Sequence, residues 1–287
     1  MPSSRTISDA QFRDLYDQQL RAEAEVVDAP EVVRIGPLWA ATFPRRGRGF
    51  VTYQQIAPQT DLEGLVSDVV RHFAADDRVD HVELKTRGHD QLPMLAEVLC
   101  RHGFVLEETE TVMVGPVEAA IRAEAQLPED HRLELAGSAA SIREAEALAG
   151  RVFGDSPERS AQRADELVAR WEQEADSFEM WLVRGPGGDV VCSGRVDFVD
   201  GTDFAGLWGG ACDEDHRGRG LYRALTAARA RSAQRRGKHY LQSDCTEYSR
   251  PILERAGLVA ITTTTPAVWR EGLPIGEYAS GSAVTSL

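Results

Sequence analysis

Two stretches of the chain run through the same succession of elements, and that repetition limits the folds open to it. From His81 to Met113 the sequence reads as a strand, a short turn, a helix with an early proline, a glycine and another strand. From His239 to Ala267 it reads the same way. His81 matches His239 and Pro93 matches Pro251. Gly103-Phe104-Val105 matches Gly257-Leu258-Val259 after a one-turn insertion in the first copy, and Thr109-Glu110-Thr111 then matches Thr263-Thr264-Thr265. A repeated strand–helix–strand unit implies two related α/β units, each with its own sheet. The 287 residues suffice for two modest domains, and 42% hydrophobic content supplies a core.

The remaining pattern fits around those copies. Ser8 to Glu25 reads as a helix opened by a Ser8–Gln11 capping box. Val32–Phe43 and Gly49–Ile56 read as two strands joined by a basic turn, and Asp61–Ala75 as an amphipathic helix. Pro93–His102 is a helix stopped by Gly103 in a left-handed cap, and Phe104–Val114 a strand. Leu127-Pro128-Glu129-Asp130 is the expected boundary. It separates a domain over 1–128 from one over 129–270, with a small, polar, poorly ordered tail over 271–287. In the second part, helices are expected at 141–153, 157–175, 221–236 and 249–256. Strands are expected at 132–135, 179–183, 190–199, 203–212, 240–244 and 258–269.

Charge narrows the function. Lys+Arg total 32 against Asp+Glu 46, a net −14, which argues against nucleic acid or an acidic membrane as the general partner. No apolar run reaches the length of a membrane span, and the N-terminus lacks the apolar core of a signal peptide, so a cytoplasmic protein is expected. Cys100, Cys192, Cys212 and Cys245 and the scattered histidines show no metal-ligand spacing; reduced thiols and no metal are expected. The positive charge is uneven. Arg217 to Lys238 holds eight basic residues and no acidic one, so removing them from −14 leaves −22 for the rest.

That run begins where the strand 203–212 passes through Arg217-Gly218-Arg219-Gly220 into a helix. Glycines admit close backbone approach. First-turn N–H groups lack intrahelical partners and sit at the positive end of the helix dipole. Such a corner suits a phosphate or pyrophosphate, with Arg217 and Arg219 adding charge. The spacing meets neither the dinucleotide fingerprint nor the P-loop.

The segment from Gly206 to Leu225 resembles the acyl-CoA-binding motif of the GNAT superfamily of N-acetyltransferases, Gln/Arg-x-x-Gly-x-Gly/Ala at a helix start. Arg217 and Gly220 match it, while Tyr222 stands where the last Gly/Ala is usual. Leu253-Glu254-Arg255-Ala256-Gly257-Leu258 resembles the family's Tyr-Glu-Lys-x-Gly-Phe ending. The resemblance covers about Arg132 to Arg270. It implies an α/β (α+β) fold, a mixed, splayed sheet flanked by helices, with acetyl-CoA as cosubstrate in the opening. The first unit is then a degenerate GNAT-like half that shapes the acceptor cleft.

The resemblance implies the following site. Backbone of Gly210, Ala211 and Cys212 pairs with the pantetheine arm. N–H groups of Arg217, Gly218, Arg219, Gly220, Leu221 and Tyr222 hold the pyrophosphate, and Thr246 and Ser249 border the thioester and the outer side of coenzyme A. The reaction is direct attack of a small-molecule amine on the thioester, needing a base for the amine proton and an acid for the leaving thiolate. The family's usual tyrosine acid is replaced by Leu253, so Tyr248 is the expected acid; Tyr222 is a second candidate, with packing under the helix as its favoured role. Glu247 and Asp244 are the candidate bases, ahead of Asp203 and Asp213. Cys212 and Cys245 are expected to pack as small hydrophobes, and Trp208 to wall the acceptor pocket or join the core. Lys85 to Asp90 is a polar loop after a strand, a place where functional loops occur, with a solvated turn as the favoured reading. The loss of the usual acid leaves a non-catalytic acyl-CoA-binding or regulatory module as the alternative. The acceptor and the oligomeric state are open.

Overall fold

In the computed structural model of the chain, residues 7–174 and 176–270 are described. They form two compact units, one of residues 7–111 with 261–270 and one of residues 112–260.

The first unit opens with α1 (Asp9–Gln19). Its capping box is formed as expected: Ser8 accepts from the Gln11 N–H, and Gln11 reaches back to the Ser8 N–H. The strands β1 (Glu31–Ile35), β2 (Leu38–Phe43) and β3 (Arg48–Tyr53) follow. Val32–Phe43 is therefore not one strand. Gly36, with φ +55°, folds it into an antiparallel hairpin that pairs Ile35 with Leu38. α2 (Leu62–Ala74) is capped by Asp61, which accepts from Gly64 N–H, and buries Leu65, Val66, Val69 and Phe73. Then come β4 (His81–Lys85), α3 (Leu95–Arg101) and the short β5 (Val105–Leu106). Gly103 ends the α3 region at φ +86°, as expected.

The second unit contains β6 (Glu110–Pro116), α4 (Val117–Arg122), β7 (Arg132–Leu135), α5 (Ala139–Phe153) and α6 (Pro157–Gln173). It continues with β8 (Phe178–Arg184), β9 (Val190–Phe198), β10 (Phe204–Cys212) and α7 (Leu221–Arg235). It closes with β11 (Tyr240–Cys245), α8 (Arg250–Arg255) and β12 (Val259–Thr264). The last strand, β13 (Pro266–Arg270), belongs to the first unit.

Sheet order shows what the repeated pattern did not. The first sheet runs β1-β2-β3-β4-β13-β5 and the second β12-β6-β11-β10-β9-β8-β7. The closing strand of each repeat copy thus lies in the other copy's sheet. β13 registers antiparallel with β4 on one side, Ala267 against Leu84, and with β5 on the other, Ala267 against Leu106. The expected boundary at 128/129 therefore does not coincide with the compact units. The chain crosses within β6 and again within β12. The strand expected over 258–269 is likewise two, divided before Pro266, whose missing N–H interrupts a ladder. The tail over 271–287 lies outside the described residues.

Each unit has its own apolar core. In the first, Val51, Tyr53, Val69, Phe73, Leu84, Leu99, Ala267 and Trp269 form one cluster. In the second, Leu207, Ala230, Leu241 and Leu253 lie in one cluster, and Leu148, Leu182 and Phe178 in another. Because β13 completes the first core, Trp269→Ala should cost about 3–5 kcal/mol of stability by urea unfolding. It should speed amide exchange in β4 and leave β10 unchanged. Unaltered exchange in β4 would place β13 elsewhere.

Candidate functional site

The second unit opens its sheet between β10 and β11. These strands are parallel and registered over Phe204–Tyr240, Ala205–Leu241 and Gly206–Gln242. Both strands continue beyond that ladder, β10 to Cys212 and β11 to Cys245. At the parting point the Ser243 hydroxyl donates to the Leu207 carbonyl at 3.0 Å. On its other edge β10 stays paired with β9, but the register shifts between Trp208 and Ala211. β10 has one residue more than β9 across that step, a bulge made by Gly209 at φ +58°.

The loop behind β10 leads to an open helix end. Asp213 caps a short turn, its carboxylate accepting from Asp215 N–H at 3.1 Å. Arg217 returns to extended backbone, and Gly218 and Gly220 take φ +76° and +82°. Gly220 is the N-cap of α7 and no side chain caps that helix. A side chain at 220 would be strained at that φ and would meet Ala125 Cβ at 2.8 Å. Arg217 and Arg219 are exposed. Arg217 Nε donates to the Cys212 carbonyl at 3.2 Å, and an Arg219 guanidinium N–H to the Asp215 carbonyl at 3.0 Å. Two exposed cations thus lie on the loop that leads into the helix start.

Tyr222 sits beneath the bulge. A Cβ on Gly210 would lie 2.0 Å from the Tyr222 hydroxyl, so only glycine fits above it. Burial raises the Tyr222 phenol above its ordinary range, against the pull of the Arg229 guanidinium, which lies 5.5 Å over the ring. Arg229 is fully buried, donating to the Arg195 carbonyl and the Thr226 hydroxyl. Trp208 is half-buried and lies over Gly206.

The basic run is less concentrated than its sequence. Arg231 pairs with Glu124 at 2.8 Å and Arg236 with Asp176 at 2.8 Å, while Lys238 donates to the Val199 and Thr202 carbonyls. With Arg229 buried, Arg217, Arg219 and Arg223 supply the charge near the helix start.

The candidate catalytic residues cluster after β11. Asp244 is half-buried, and Gln242 Nε2 donates to its carboxylate at 2.7 Å. Glu247 is exposed and lies 3.6 Å from Arg250. Tyr248 is 90% exposed, so its ring projects into solvent. Thr246 and Ser249 hold that turn together, Ser249 N–H donating to the Thr246 carbonyl at 3.1 Å. Leu253 is buried among Leu241, Ala256 and Leu258. Cys245 is buried and Cys212 half-buried. Asp203, another candidate base, holds the start of β11 through its carbonyl, which accepts from His239 and Tyr240 N–H.

The loop after β4 is not a solvated turn. Arg87 is buried and donates to Glu25 at 2.6 Å and to the Tyr16 hydroxyl at 2.9 Å. Arg21, also buried, grips both Asp90 oxygens at 3.1 and 3.0 Å. Arg21 and Asp90, with Asp17, Gln54 and His89 among others, line a cavity of about 410 Å³. Partners 62 and 69 residues away in sequence left no local signal for this network.

No group of His, Cys, Asp and Glu able to hold a metal ion occurs among the described residues, and no described helix is long and apolar enough to cross a membrane.

The two mixed sheets flanked by helices have the fold of the GCN5-related N-acetyltransferases. A GCN5-related N-acetyltransferase from Kribbella flavida aligns with TM-score 0.64 at 17% identity, over 94% of this chain and 98% of that one. A tandem GNAT protein from the clavulanic acid biosynthesis pathway aligns with TM-score 0.60 at 12% identity, over 83% and 79%. A GCN5-related N-acetyltransferase from Sphaerobacter thermophilus gives TM-score 0.59 at 14% identity, over 83% and 78%. No protein-family model matches the sequence, and no curated protein matches it. At these identities the likeness establishes the fold.

The Tyr222–Gly210 contact gives a direct check. Gly210→Ala should destabilise the protein by about 1–3 kcal/mol in urea unfolding. Most of that loss should vanish when Tyr222 is also changed to Leu. A Gly210→Ala penalty that is the same in both backgrounds would mean the contact is not the cause.

Proposed function

We propose that this chain is an acetyl-CoA-dependent N-acetyltransferase of the GNAT superfamily that acts on a small-molecule amine. The observation that carries the reading is the uncapped start of α7, behind Gly218 and Gly220, at the place where β10 leaves β11. First-turn N–H groups there suit a pyrophosphate. The two exposed arginines beside them suit its charge. The fold likeness supports acyl transfer as the reaction class.

In this reading, backbone groups of Gly210, Ala211 and Cys212 pair with the pantetheine arm along the edge that β11 leaves. The N–H groups from Arg217 to Tyr222 hold the pyrophosphate, and Thr246 and Ser249 border the thioester. The cosubstrate brings an activated acetyl thioester. The amine nitrogen bonds to the carbonyl carbon as the carbon–sulfur bond breaks. Asp244 or Glu247 takes the amine proton, and Tyr248 returns one to the departing sulfur. The −22 carried outside Arg217–Lys238 favours the approach of a cationic amine.

A buried Leu253 at the family's tyrosine position also supports a second reading, a module that binds acyl-CoA without turnover. Incubation with acetyl-CoA and a broad amine panel, following free thiol, separates them. Turnover with any amine excludes the module; binding without turnover across the panel favours it.

Two variants test the assignments. Arg217→Glu combined with Arg219→Glu should weaken acetyl-CoA binding by about 10- to 100-fold in calorimetry, the loss expected of charge-assisted hydrogen bonds. Unchanged affinity removes the pyrophosphate assignment. Tyr248→Phe should lower kcat by about 100-fold with KM for acetyl-CoA unaltered. An unaltered kcat would remove Tyr248 as the acid.

A further inference from the structure

Cys192 on β9 and Cys212 on β10 stand directly opposite each other in the antiparallel ladder. Which kind of opposed pair they form follows from one hydrogen bond. Asp213 N–H donates to the Val191 carbonyl at 2.9 Å, joining the residue after Cys212 to the residue before Cys192. That pattern brackets a non-hydrogen-bonded pair, whose Cα atoms lie about 4.5 Å apart with side chains on the same face. Disulfides span Cα separations of about 4.4–6.8 Å, so this pair can be bridged without moving either strand.

The two thiols differ in the way a two-step exchange needs. Cys212 is half-buried and Cys192 is wholly buried. The adjacent Cys192 thiol lowers the Cys212 thiol below its ordinary value against the effect of burial, and Arg217 adds to the lowering. Burial holds the Cys192 thiol well above its ordinary value. Cys212 is thus the attacking group and Cys192 the resolving one.

We propose that Cys192 and Cys212 are a reversible oxidation site, closed to a cross-strand disulfide by a low-molecular-weight disulfide. The Cys212 thiolate attacks one sulfur of the small disulfide, forms a mixed disulfide and releases one small thiolate. Cys192 then attacks the Cys212 sulfur and displaces the second. The two cysteine protons go to the two released thiolates. The protein loses two electrons and two protons, and the small disulfide is reduced to two thiols. Excess thiol reopens the bridge by the reverse of the same exchange. The site stands on the β9–β10 register alone and does not depend on what the neighbouring loop binds.

The test treats the full chain with oxidised glutathione, blocks remaining thiols and digests with trypsin. The sequence releases residues 185–195, which carry Cys192, and residues 196–217, which carry Cys212, as separate peptides. The expected product is these two peptides joined, lighter by two hydrogens, and separated again by excess thiol. Cys192→Ser should instead leave a stable glutathione adduct on Cys212. Cys212→Ser should leave Cys192 unmodified, and the native chain remains the primary reading should either variant fold poorly. A link from either cysteine to Cys245, or glutathione confined to the exposed Cys100, would overturn the proposal.

Discussion

The parallel ladder between β10 and β11 closes over three residue pairs and then stops, and the second unit's candidate site follows from that parting. A parallel sheet buries backbone polar groups only while its strands run together. Beyond Gly206 and Gln242 they do not, and β10 stays paired with β9 on the other side. The Gly209 bulge turns the end of β10, and Tyr222 supports it from below. The chain then makes its two left-handed glycine steps and presents the N-terminus of a 15-residue helix. The strand edge, the bulge, the loop and the helix end are one continuous piece of backbone. Positioning a ligand with main-chain groups suits such a segment, because its geometry is fixed by sheet register more than by side-chain rotamers.

A second constraint lies in the sheets themselves. Each repeat copy ends in a strand that completes the other sheet. β13 fills the gap between β4 and β5 and adds Ala267 and Trp269 to the first core. Without it both strands would present unpaired edges, a hazard that folded proteins avoid. The first unit is therefore complete only when the far end of the chain has folded back into it.

Local features were legible in the sequence because they depend on neighbours along the chain. The Ser8–Gln11 box, the Asp61 cap, the Gly103 turn and the strand–loop–helix corner around Arg217 all fall in this class. The order of the repeat was legible too, but the destination of its last strand was not. Apolar alternation marks a strand without naming its partner. The same limit hid the network of Arg21, Arg87, Glu25 and Asp90, whose members meet only in the folded unit. Charge counting misled in one respect. Of eight cations from Arg217 to Lys238, Arg229 and Lys238 are buried against carbonyls, and Arg231 and Arg236 are paired with carboxylates.

In the proposed function, main-chain groups of β10 and the α7 start hold acetyl-CoA. Amide hydrogen exchange with and without acetyl-CoA tests it most directly, because it reads those groups themselves. The account predicts slowed exchange across residues 208–224, with residues 54–64 of the first unit unchanged. Protection confined to 54–64, or none across 208–224 at saturating acetyl-CoA, would contradict it.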